Sequence, residues 1–220
     1  PPVPSAPPPL PRPPDAARPP QYSGAIGKTH RLREAELWDD EPEYYDPPQG
    51  LLAYSPHVRR ELILPAGKMT VALHFRLVHE QLTQLRAALL LARKLNRLLI
   101  LPRLVCGLDR FWAPHNGTIP GSDTTLPIEP CPADHVVDLE HVARAHKGTI
   151  TTLMREYSFL SNPRLPVSVR ASIMAEAPPK SLSEADLAPL RALRTVRVLN
   201  FSSMPDLYAT LPEGEAAAEQ

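Results

Sequence analysis

The chain is poor in aromatic side chains, glycine and cysteine, and it has no excess of charge. Only 5% of its 220 residues are Phe, Trp or Tyr. Lys plus Arg number 24 and Asp plus Glu number 24, so the formal net charge is zero. That balance argues against bulk phosphate binding to nucleic acid, which needs a basic surface. Two cysteines, Cys106 and Cys131, are too few for a disulfide framework and leave room for one bridge. No apolar run approaches the roughly 20 residues of a membrane span, and no signal peptide is visible. The first residue is Pro, which reads as a processed product or a portion of a longer chain. No G-x-G-x-x-G run opens a helix, which removes the dinucleotide fingerprint. No H-E-x-x-H or short-spaced Cys pair is present, which removes the common zinc patterns. There is no Asp-x-Asp either.

Proline is abundant. Of 29 prolines, 11 fall in "PPVPSAPPPLPRPPDAARPP", residues 1–20. That stretch has too little apolar area to offset the entropy of ordering, and is expected to be an extended, polyproline-like leader. Residues 21–50 form a polar connector with a short expected helix at 32–38, closed by Pro47, Pro48 and Gly50. Residues 51–209 carry the periodic pattern of a folded module, and 210–220 read as a disordered tail. Two Asn-x-Ser/Thr tripeptides, at Asn116 and Asn200, are candidate glycosylation sites. With a bridge between Cys106 and Cys131 they lean toward a secretory compartment.

Within the module, Val71, Leu73, Phe75 and Leu77 alternate with polar positions, and the period of two predicts a strand over 70–77. Leu82, Leu85, Leu89 and Ala92 recur at steps of three and four, the stripe of an amphipathic helix that Asn96 stops. "LLILP", 98–102, is short and wholly apolar, as in a strand covered on both faces. Strand, helix, strand predicts a βαβ unit with parallel neighbours. A helix over 183–193, capped by Ser183 but interrupted by Pro189, then leads to a strand over 195–201. The fold expected is α/β: an open, mostly parallel sheet built from βαβ units.

Ligands of such sheets sit at the carboxyl ends of strands. "VHEQ" places His79, Glu80 and Gln81 at an expected helix start, as caps or anion contacts. "RLVCGLDRFWAPHNG" supplies Arg103, Asp109, Arg110, Trp112 and His115, a set suited to a sugar-sized pocket: a ring to stack and charged groups to orient hydroxyls. "CPADHVVDLEHVARAH" reads as a solvated loop and helix face. "WDDEPEYYD" gathers Asp39, Asp40, Glu41, Glu43 and Asp46, which is a solvated charge run or a weak magnesium or manganese site. In "GAIGKTHRLRE", Gly27 allows a close turn, Lys28 is a cation, and His30 a neutral nitrogen ligand, which together suit a diphosphate and its metal.

"YSGAIGKTHRLREAELWDDEPEYYD", "LARKLNRLLILPRLVCGLDRFWAPHNGTIPGS", "CPADHVVDLEH" and "REYSFLSNPRLP" resemble the C-terminal half of plant and green-algal arabinosyltransferases of glycosyltransferase family 77. The resemblance runs from about 21 to about 209. It implies an inverting sugar transferase of the Golgi lumen that needs Mn²⁺ or Mg²⁺. It also implies a UDP-activated arabinofuranose donor and an acceptor of arabinosylated, hydroxyproline-rich cell-wall protein. In that family the Asp-x-Asp metal motif lies in a domain upstream of the "GKTHRLRE"-like stretch, where this chain has its leader. Lys28 and His30 are then diphosphate and metal contacts of a domain not contained here. The block around 81–102 is also similar to the first βαβ unit of O-fucosyltransferase-like folds, but with His79, Glu80 and Gln81 where those carry Asn-Gln. Two functions follow as expectations: a sugar transferase represented by a portion lacking its donor domain, or a non-catalytic carbohydrate- or partner-binding module.

Overall fold

A computed structural model describes residues 24–63, 69–107, 130–146 and 149–211. The leader, Asp109, Arg110, Trp112, His115, the Asn116 tripeptide and the tail beyond 211 lie outside the described residues. The elements in chain order are α1 (Ala25–Glu34), α2 (Pro42–Tyr45), β1 (Leu51–Tyr54), α3 (Arg60–Ile63), α4 (Val71–Lys94), β2 (Leu98–Ile100), α5 (Leu139–Ala145), β3 (Met154–Arg155), α6 (Val167–Ala171), β4 (Ile173–Glu176), α7 (Glu184–Ala192) and β5 (Val198–Phe201). The five strands form one parallel sheet in the order β3-β2-β1-β5-β4. The expected α/β fold with an open parallel sheet is what the chain adopts.

The order of the strands dictates the layers. The chain steps from β1 to β2 to β3, and from β4 to β5, in the same direction across the sheet. Right-handed crossovers in one direction place their helices on one face. Accordingly α4, α5 and α7 bury Leu85, Leu91, Leu139, Ala143, Leu187 and Leu190 against Leu52, Leu99, Leu199 and Phe201. The alternate strand residues, Leu51, Ala53, Leu98, Ile100 and Val198, pack on the opposite face against Tyr44, Tyr45, Phe159 and Val169 of α6. The connector therefore belongs to the fold: Tyr45 is 3% exposed. Its helix is Ala25–Glu34 rather than 32–38.

The strand expected over 70–77 is helical. α4 is a single helix of 24 residues, and Thr70 caps it by accepting from Leu73 N at 3.2 Å. The alternating apolar residues of that stretch are not one buried face, because Val71 is 58% and Phe75 65% exposed while Leu77 is fully buried. Once residues 78–94 are helical, extending the helix backwards costs no new nucleation, and the cap ends it. Leu85 and Ala92 are buried as expected, and Leu89 is partly buried; Leu82 is not, at 37% exposed. Asn96 stops the helix with φ 52°, a left-handed position that Asn tolerates. The strand that precedes α4 and pairs with β2 is "LLAY", β1, which follows Gly50. Gly50 has φ 75°, and a side chain there would also meet the Arg97 guanidinium at 2.8 Å. Ser183 caps α7 by accepting from Asp186 N, and Pro189 is carried inside that helix.

Candidate functional site

Two polar regions gather at the carboxyl side of the sheet. The first docks α1. Glu140 of α5 accepts from Ile26 N at 2.9 Å and Gly27 N at 3.3 Å, capping α1 from another helix. Gly24 makes room for it, since a Cβ there would lie 2.1 Å from the Glu140 carboxylate. Arg31 donates to both oxygens of Asp134 at 2.8 Å, and Glu34 accepts from Ala133 N at 3.1 Å. The segment "CPADHVVDLEH" is thus a docking surface for α1, not a solvated face.

His30 lies inside this contact, 1% exposed, with its Nε2 3.6 Å from Glu34 Oε1. Burial, aided by Arg33, holds its pKa down at about 4. Burial pushes the Glu34 carboxyl up to about 7. The pair is therefore not an ion pair at neutral pH, because the imidazole is uncharged. Lys28 sits on the exposed face of the same helix, so α1 points the candidate diphosphate contact, Lys28, and the candidate metal ligand, His30, apart.

The three aspartates of "WDDEPEYYD" disperse onto arginines. Arg33 donates to Asp40 at 2.7 and 2.5 Å, Arg164 pairs with Asp39, and Arg197 with Asp46. Beside them, the Tyr44 hydroxyl donates to Glu156 Oε2 at 2.5 Å under the buried Arg155 guanidinium. Glu156 is wholly buried, and burial raises its pKa. This network ties the connector to the end of β3, and it leaves Glu41 and Glu43 exposed on the surface of the connector.

The second region lies at the carboxyl ends of β1 and β2. "VHEQ" stands in the middle of α4, not at its start. Gln81 and Gln84 each clamp a loop backbone. Val105 N donates to Gln81 Oε1 at 2.7 Å while Gln81 Nε2 donates to Val105 O at 2.9 Å. His57 N donates to Gln84 Oε1 at 2.9 Å while Gln84 Nε2 donates to His57 O at 2.6 Å. Glu80 receives Arg59 Nε at 3.1 Å. Arg103 is exposed after β2, with its guanidinium 5.7 Å from the Tyr157 ring centre. Cys106 and Cys131 form a disulfide that ties the loop after β2 to the turn before α5, beside a bridge in which Cys131 N donates to Leu104 O at 2.7 Å. His135 Nδ1 lies 3.8 Å from Cys106 Sγ, but the bonded sulfurs are not metal ligands. Asn200 stands within β5, in register with Ala53 and Ala175. Arg59, which flanks this edge, carried no spacing signal in the sequence, and Phe75 and Arg76 carried only the period-two alternation that predicts a strand over 70–77.

The aligned stretch decides the relationship. The chain is 37% identical, in an alignment of 222 positions that covers 89% of its length, to "Arabinosyltransferase XEG113" of Arabidopsis thaliana. It is a relative of a plant arabinosyltransferase. The chain spans about a third of that protein, 34% of its length. No family profile matches the chain, and no solved structure matches it.

Proposed function

We propose that this chain is the C-terminal α/β part of a glycosyltransferase that moves arabinofuranose from a UDP-sugar to arabinosylated, hydroxyproline-rich cell-wall protein in the Golgi lumen. The observation that carries the proposal is the 37% identity to a protein named as an arabinosyltransferase, sustained over 89% of the chain. The open parallel sheet, with polar groups gathered at its carboxyl edge, is a scaffold suited to that chemistry.

A Mn²⁺ or Mg²⁺ ion that holds a diphosphate needs free carboxylate oxygens. The described residues do not fit it. Asp39, Asp40 and Asp46 are engaged by arginines, His30 is buried against Glu34, and among the described residues the one group of three ligand atoms close enough to share an ion is Cys106, Cys131 and His135, whose sulfurs are bonded to each other. We therefore assign the metal and the diphosphate to the part of the larger enzyme outside the aligned stretch. UDP release with manganese, measured on the 220 residues and on the chain extended by the relative's upstream region, tests this. Turnover is expected from the extended protein alone. Robust turnover by the 220 residues overturns the division of labour, and none from the extended protein overturns the transferase reading. The engaged carboxylates favour a second reading, a non-catalytic carbohydrate-binding module, which predicts glycan binding without UDP release in either protein.

A further inference from the structure

α4 is far longer than the sheet it covers. Its 24 residues span about 36 Å, against roughly 13 Å for a four-residue strand. Its second half packs on the sheet, so its first half projects past the carboxyl edge. A small cluster of Leu62, Leu77 and Val105 holds the projecting half in place with α3. Beside it opens a groove of about 450 Å³, within the range of small-ligand sites.

The lining has a definite character. Phe75 presents its ring at 65% exposure, a surface that water covers poorly. Arg59 is fixed by Glu80, which accepts from both its Nε and its backbone N. Arg76 and His79 also line the groove, and Gln84 anchors the His57 backbone beside it. Planar guanidinium and carboxylate groups pair with adjacent hydroxyls, and an aromatic face packs on the C–H face of a sugar ring. Glu80 already offsets the charge of Arg59. That leaves Arg76 as the groove arginine without a carboxylate partner among the described residues, too little cationic charge for a diphosphate.

We propose that this groove binds a neutral oligosaccharide, with Phe75 as the stacking platform and Arg76 and the Arg59–Glu80 pair as hydroxyl contacts. Resting on the transferase reading, it is the subsite for the acceptor glycan. The test is calorimetric titration of the 220-residue chain with an arabino-oligosaccharide, with UDP as a second probe, alongside Phe75→Ala and Arg76→Ala. Both side chains are exposed, so circular dichroism and Tm are expected to stay at the parent values. Saturable glycan binding that weakens roughly five- to tenfold in Phe75→Ala supports the site. No binding, or binding indifferent to both substitutions, overturns it. So does UDP binding that Arg76→Ala abolishes. Self-association lost in Phe75→Ala also overturns it, by making this face an interface between copies. The two readings separate cleanly. Glycan binding with no UDP release from the extended protein sinks the transferase and keeps the groove. UDP release with an acceptor KM unchanged by Phe75→Ala does the reverse.

Discussion

Glu34 and His30 show how burial reshapes single residues. The folded Glu34 keeps its proton up to about pH 7, whereas an unfolded glutamate loses it near 4.5. Its favourable contribution is therefore full below 4.5 and is lost as pH rises to about 7. His30 runs the other way: its contribution is full above 6.5 and is lost as pH falls to about 4. The two slopes offset each other between about 4.5 and 6.5. Glu34→Gln removes only the first, and keeps an oxygen to accept from Ala133 N. The variant is expected to exceed the parent in stability at pH 8 by on the order of 2–3 kcal/mol, since moving a proton equilibrium by one pH unit costs about 1.4 kcal/mol. The gap closes toward pH 4.5. Urea unfolding at both pH values measures it, and a gap that does not change with pH contradicts it. Gln81 is a harder case to replace. Gln81→Leu keeps the bulk but strips partners from both polar groups of Val105, and a loss of about 2–4 kcal/mol is expected in the same unfolding assay.

At the scale of elements, the 82–95 stripe was legible because helical spacing and burial coincide at Leu85, Leu89 and Ala92. Leu85→Asp places a lone carboxylate among Leu52, Leu91 and Leu99, at a cost of several kcal/mol. Loss of the cooperative thermal transition is the expected result, and a folded variant would remove Leu85 from the core. The 70–77 stretch misled because alternation of Val71, Leu73, Phe75 and Leu77 has the period of a strand, whereas a helix with a groove on one side leaves the same residues unequally exposed. β1 was not legible: "LLAY" is four residues, apolar throughout because both its faces are covered, and too short for periodicity to register. α1 was misplaced because its N-terminal cap, Glu140, lies 114 residues away in sequence from Ile26.

At the scale of the whole molecule, the disulfide between Cys106 and Cys131 closes the loop between β2 and α5 across a separation of 25 residues. Chain-entropy arguments put its contribution at about 3 kcal/mol. Cys106→Ala with Cys131→Ala is expected to lower Tm by several degrees relative to the parent, while a reductant lowers Tm of the parent and leaves the variant unmoved. An unchanged Tm in the double variant would show that the sheet alone fixes the loop base.

The sequence by itself determined the α/β class, the amphipathic second half of α4, the adjoining apolar strand, and the capped helix and strand near the C-terminus. These are local properties, carried by periodicity and spacing within a few turns of chain. Only the tertiary structure decided the strand order, the incorporation of 24–50 into the fold, and the fate of the candidate ligands. Whether Asp40 is a cation ligand or the partner of Arg33, and whether His30 meets solvent or Glu34, depends on which surfaces the sheet brings together. Charge and hydrogen-bonding capacity are written residue by residue, but the solvent exposure that makes them available for chemistry is a property of the assembled layers.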